Sequence, residues 1–163
     1  MAFAGAPPLS IALTNVQPNE VETFTLICQD TESLQATDAF QATIKLFDDP
    51  NMLPLLKGSP FLFHAQGWEV PALVREMHAL LDASDATTKR HPRVVQSGQK
   101  ASVTLQLHAT LPLESRTVWK DGARFLMRVK GRTIGAGLIN TSLPVSEEKV
   151  DVTVFQTGIA NFE

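Results

Sequence analysis

Between Lys120 and Ile139 the chain carries Lys120, Arg124, Arg128, Lys130 and Arg132 against one carboxylate, Asp121. Guanidinium and ammonium groups at that density are suited to charge-assisted hydrogen bonds with carboxylates or phosphates, which arginine can make in bidentate form. The run Arg124-Phe125-Leu126-Met127-Arg128-Val129 alternates in character. In a strand, that alternation puts Arg124, Leu126 and Arg128 on one side and Phe125, Met127 and Val129 on the other. The apolar side suits a core and the cationic side a partner. Charged residues on the outer face of a barrel strand are also commonplace and contribute little to stability, so residue types alone leave both readings open.

The other residues that could do chemistry form no recognisable machinery. Gly131, Gly135 and Gly137 lie in and before a strand, whereas a phosphate-cradling loop must follow a strand and open a helix. Gly131 is expected to supply positive φ in a turn, and Gly135 and Gly137 to admit a neighbouring backbone or bulky side chain. His64, His78, His91 and His108 are scattered, and Cys28 lies far from them in sequence, so a metal site is not expected. Ser97 lacks the Gly-x-Ser-x-Gly setting of a nucleophile elbow, and no carboxylate pair stands out. Nothing here argues for catalysis.

The elements that must position the cationic run are strands. The 163 residues include ten prolines and nine glycines among short Val, Ile, Leu, Phe and Thr runs, and no window sustains helical periodicity over several turns. Leu9 to Thr14 and Phe24 to Cys28 read as two strands around a polar link, too little for a domain by themselves. From Asp38 onward, Ala39 to Phe47, Pro60 to Gln66, Val70 to Leu81, Lys100 to His108, Ala123 to Val129 and Arg132 to Asn140 each read as a strand. Val70 to Leu81 is ambiguous, because Leu73, Met77 and Leu80 also fit a helix face. Asp82 to Pro92 reads as a solvated hairpin tip, and Val150, Val152 and Val154 allow an edge strand in the tail. Six strands with short links suggest a closed β-barrel, which leaves no exposed edge.

Charge is uneven along the chain. Residues 38 to 143 hold 13 Lys or Arg and 9 Asp or Glu, while the flanks hold 1 basic and 8 acidic residues, for a formal net charge of −3. The excess in the centre is too small for strong nonspecific nucleic-acid binding, which neutralises many phosphates, but it allows a local patch. A lone cysteine excludes an internal disulfide and points to a reducing compartment. No segment approaches the length of an apolar membrane span, so the expectation is a soluble, cytoplasmic protein with no membrane partner.

Residues 123 to 137, Ala-Arg-Phe-Leu-Met-Arg-Val-Lys-Gly-Arg-Thr-Ile-Gly-Ala-Gly, closely resemble the final hairpin of the C-terminal barrel in the elongation factor Tu and elongation factor 1-alpha family of translational GTPases. Ala39-Phe40-Gln41-Ala42-Thr43-Ile44 resembles the first strand of that barrel, and Leu56 to His64 its second strand with the preceding Lys-Gly turn. Pro92 to Ala101 is similar to the segment before the fourth, and residues 9 to 28 to the last two strands of the family's middle barrel. The resemblance implies an all-β fold: a six-stranded antiparallel Greek-key barrel over residues 35–145, preceded by a two-strand remnant of the middle barrel over residues 1–34. An acidic tail over residues 146–163 follows.

Gly98 to Gln106 is most similar to the ribosome-rescue branch, whose members deliver the Pelota-type factor to stalled ribosomes, with the class II release factors close behind. The resemblance implies a partner-docking module for a Pelota-like or release-factor protein on the ribosome, using Arg124, Leu126, Arg128, Lys130 and Arg132. In the release-factor branch the strand matching Ala123 to Arg128 contacts the delivered protein, although a family glycine is Ala123 here. The alternative is an aminoacyl-tRNA-binding module of an elongation factor, with Lys130 and Arg132 on the tRNA backbone. A third is a lever that transmits nucleotide state through contacts with the GTPase domain. GTP and magnesium belong to that domain, which these residues do not contain, and the chain itself is expected to be neither an enzyme nor a cofactor carrier.

Overall fold

The computed structural model describes residues 36–144, together with residues 12, 14 and 17. Among the described residues nine strands run in chain order: β1 Ala36–Leu46, β2 Leu55–Leu56, β3 Pro60–Ala65, β4 Trp68–Leu81, β5 Thr87–Arg90, β6 Val94–Val95, β7 Lys100–Pro112, β8 Arg124–Val129 and β9 Arg132–Ser142. Of the strand expected over Leu9 to Thr14 only Ala12 and Thr14 are described, and neither is in a strand; the strands expected over Phe24 to Cys28 and in the tail lie outside the described residues.

Six of the nine close into an antiparallel barrel in the spatial order β3-β8-β9-β1-β7-β4, with β4 pairing back onto β3. Strands β3, β4 and β7 pair in sequence while β1 lies beside β7, which is Greek-key order. The interior is filled by alternate residues: Phe40, Ala42 and Ile44 from β1, Phe61 and Phe63 from β3, Val103 and Leu105 from β7, Phe125 and Met127 from β8. Phe40, Phe63 and Phe125 meet in a three-ring cluster with centroids 5.1 to 5.6 Å apart, two of the contacts edge-to-face.

Val70 to Leu81 is strand, not helix, and Leu73, which fitted the helix face, is out of phase with the buried residues of the strand. Val70, Ala72 and Val74 point inward, and then Met77 and Ala79. The pairing with β7 slips between Val74 and Glu76. One extra residue at that bulge turns a step of two into a step of three. The sequence also missed β2, β5 and β6. Strands β2 and β6 form their own two-stranded sheet, and β5 pairs with the outer end of β4 with every residue exposed. Two-residue strands and fully solvated ones have no alternation to read.

Candidate partner-docking face

The β8–β9 hairpin is closed by a two-residue turn in which Lys130 and Gly131 both have positive φ, 49° and 74°. Val129 pairs with Arg132 across it. This is the geometry of a type I′ turn, whose twist matches that of the flanking strands, and it explains the glycine at the second position. Phe125 and Met127 are buried, while Arg124, Leu126 and Arg128 face outward, with Leu126 40% exposed.

The five expected contact residues are not equally available. Arg124 lies 3.3 Å from Asp121 but keeps 63% of its side chain exposed. Arg128 is held more closely: Nη2 donates to the Gly131 carbonyl at 3.0 Å, and Nη1 lies 3.8 Å from Glu69. Arg132 pairs with Asp49 at 3.1 Å. Lys130 stands exposed at the turn, at the far end of the hairpin from Arg124. Arg124 and Leu126 share one outward surface, and Arg124, Arg128 and Arg132 each have a carboxylate of this chain nearby, in Asp121, Glu69 and Asp49.

What sequence reasoning missed lies on the neighbouring strands. Register across the sheet sets His64, Leu126, Ala136, Lys45 and Lys100 in one row over β3, β8, β9, β1 and β7. The adjacent row runs Arg124, Leu138, Thr43 and Ser102. Ala136 is small, so the surface dips between Leu126 and Lys45 and opens a groove of about 670 Å³. Lys45, Lys100, Lys120 and Arg124 line it, and among the described residues no carboxylate does. Lys45 and Lys100 stand directly opposite each other, an arrangement that repels. Lys45 Nζ donates to the Gly98 carbonyl, and Lys100 pairs with Asp85 at 2.6 Å. His64 Nδ1 sits 3.3 Å from Glu69 at the groove edge, without a hydrogen-bonding alignment. Lys45 and Lys100 fall near the ends of two strands distant in sequence, so only the β1–β7 register could have joined them to the hairpin.

A second cavity of about 560 Å³ shares Lys45 and Lys100 and reaches Asp82 at the β4–β5 turn. The Ser84 hydroxyl and then the Ala86 amide hydrogen-bond to the Asp82 carboxyl and hold it below the usual aspartate range. Among the described residues, no three His, Cys, Asp or Glu side chains gather closely enough to hold a metal ion, and no helix is long and apolar enough to cross a membrane.

Comparison with known proteins places these features. Residues 39–140 match the model of the GTP-eEF1A C-terminal domain-like family. Protein HBS1 of Drosophila melanogaster is 30% identical over 138 residues, covering 84% of this chain and 20% of that protein. Elongation factor 1-alpha of Halobacterium salinarum is 30% identical over 103 residues, covering 63% of this chain and 24% of that protein. The chain thus spans about a fifth to a quarter of the length of these relatives. A crystal structure of sup35 complexed with GDP shares the fold, with a TM-score of 0.62 at 22% identity, over 68% of this chain and 27% of that one. The matched span runs from the inward-facing residues of β1 to the end of the cationic hairpin, and on that ground the chain belongs to the GTP-eEF1A C-terminal domain-like family, the C-terminal barrel of translational GTPases related to elongation factor 1-alpha.

Proposed function

We propose that this barrel is the docking module of an elongation factor 1-alpha-like GTPase for a tRNA-mimicking protein factor in ribosome rescue or translation termination. The factor is a Pelota-like or release-factor protein, engaged at the ribosome in the cytoplasm. The observation that carries this reading is the pairing of exposed Arg124 with exposed Leu126 on the outer face of β8. Arginine is enriched at interface hot spots, where burial strengthens its charge-assisted contact, and Leu126 offers apolar surface beside it that can exclude water. At the same 30% identity, the match to Protein HBS1 covers 84% of the chain against 63% for elongation factor 1-alpha, and that longer match supports the same branch. Arg128, Lys130 and Arg132 flank this centre, with Arg128 drawn in once its contact with Glu69 is exchanged for one with the partner. GTP and magnesium would be bound by the GTPase domain, outside these residues.

The test is calorimetric titration of a Pelota-like or release-factor partner into wild type and into the Arg124→Ala, Leu126→Ala double variant. Loss of about 2–4 kcal/mol of binding free energy is expected for two desolvated contacts. Wild-type affinity in a folded double variant would overturn the reading. A second reading, an aminoacyl-tRNA-binding module, draws on the four cations of the groove, which no carboxylate lines among the described residues. It predicts a steep linear fall of log affinity with log salt, where a protein interface with an apolar anchor gives a shallow one.

A further inference from the structure

The groove has a spacing that selects what can lie in it. Arg124 and Lys45 face outward on strands separated by β9, and Lys45 sits two residues beyond the row that Arg124 occupies. With strands about 4.8 Å apart and a rise of about 3.3 Å per residue, their Cα atoms lie about 12 Å apart along a diagonal. Between them the floor is apolar: Ala136 with Leu126 on one side, and Leu138 in the next row. In an extended peptide, residues i and i+4 lie about 13 Å apart and face the same way as residue i+2.

We propose that the groove binds an extended acidic–x–aliphatic–x–acidic segment of the partner factor. This rests on the docking reading and names the chemistry that the partner presents. One carboxylate meets Arg124 and Lys120, the aliphatic side chain settles over Ala136 between Leu126 and Leu138, and the second carboxylate meets Lys45. Among the described residues Lys120 has no carboxylate partner and Lys45 donates to a neutral carbonyl, Lys100 is already paired with Asp85, and Arg124 exchanges its exposed contact with Asp121 for the ligand's carboxylate. The apolar floor favours a peptide over a phosphate backbone, which would place charge where Leu126 and Leu138 stand. The chain's own acidic flanks do not supply the segment. In residues 1–35 and 145–163 the single pair of carboxylates at the required spacing, Glu147 and Asp151, has Lys149 between them, a cation at the position that calls for an aliphatic side chain.

The probe is a capped Gly-Asp-Ser-Leu-Ser-Asp-Gly peptide, with a control in which both aspartates are asparagine, titrated into the full chain and followed by amide chemical shifts. Shifts are expected at Lys45, Ala136 and Leu138 with the acidic peptide only, and they should vanish in the Lys45→Glu, Lys120→Glu double variant. They should persist in Lys57→Glu, Lys89→Glu, which makes the same charge change on exposed residues outside the groove. With the partner factor, the first pair should weaken binding about tenfold or more and the second pair little. Equal binding of the asparagine peptide, equal weakening by both pairs, or the same shifts produced by a single-stranded oligonucleotide and not by the peptide would overturn the proposal. If wild type binds no partner factor, the docking reading falls, while the peptide titration still decides whether the groove has this preference.

Discussion

Gly137 has no side chain because Phe125 occupies the space where one would go. A Cβ built on Gly137 would sit 2.2 Å from Phe125 Cζ, and Phe125 is the residue paired with it across β8 and β9. The ring cannot swing away freely, since it packs against Phe40 and Phe63. Gly137→Ala is therefore expected to destabilise the barrel by about 1–3 kcal/mol through overpacking. Urea denaturation would measure it, and an unchanged midpoint would show that the three-ring cluster is looser than its geometry implies. Sequence alone identified Gly137 as a point of close approach and Phe125 as inward-facing. That the two meet each other was not legible, because it depends on the bulge that shifts the β8–β9 register between Met127 and Arg128. The same holds for the outward residues. Alternation put Arg128 on the cationic face, but its engagement by Glu69 is set by the β3–β8 and β3–β4 pairings, which bring residues from three strands together.

At the scale of elements, the β4–β5 hairpin is organised by one carboxylate. Asp82 Oδ1 accepts from the Ser84 amide at 2.8 Å, the Ser84 hydroxyl at 2.7 Å and the Ala86 amide at 2.9 Å. These bonds favour the ionised form and lower its pKa. A group whose folded pKa lies below its unfolded value contributes its stabilisation above the unfolded pKa and loses it as pH falls through the folded one. Acidification should thus loosen this turn at a pH below the ordinary aspartate range, leaving it intact above. The Ala86 amide chemical shift should report one such step, absent in Asp82→Asn; a step at the ordinary aspartate pKa would count against the turn's hydrogen bonds. The sequence marked Asp82 to Pro92 as a solvated tip, which holds, but β5 within it was hidden because exposed Thr-Thr-Lys-Arg has no inward face. In β4 a bulge lengthens the inward step from Val74 to Met77 to three residues, which breaks the period of two that marks a strand.

At the scale of the whole molecule, the buried residues of the barrel form one continuous core, with the proposed docking face on its outside. Phe63 is fully buried and touches both Phe40 and Phe125, so it joins β3 to β1 and β8. Phe63→Ala should cost about 3–5 kcal/mol. Far-ultraviolet circular dichroism and tryptophan fluorescence should lose signal in one coincident transition, because the barrel has no edge at which to fray. Separate transitions would mean that the hairpin and the rest of the barrel fold independently. By itself the sequence determined the β class, five of the six barrel strands without ambiguity, and the two faces of β8, because a period of two residues records which side of a strand is apolar. The tertiary structure alone decided that β4 is a strand, that Arg128 and Arg132 are tied to carboxylates of this chain, and that Lys45, Lys100 and Lys120 share a groove with Arg124 and Leu126. Those facts depend on register between strands far apart in sequence, and register is fixed by packing and bulges across the closed barrel, not by the alternation within any one strand.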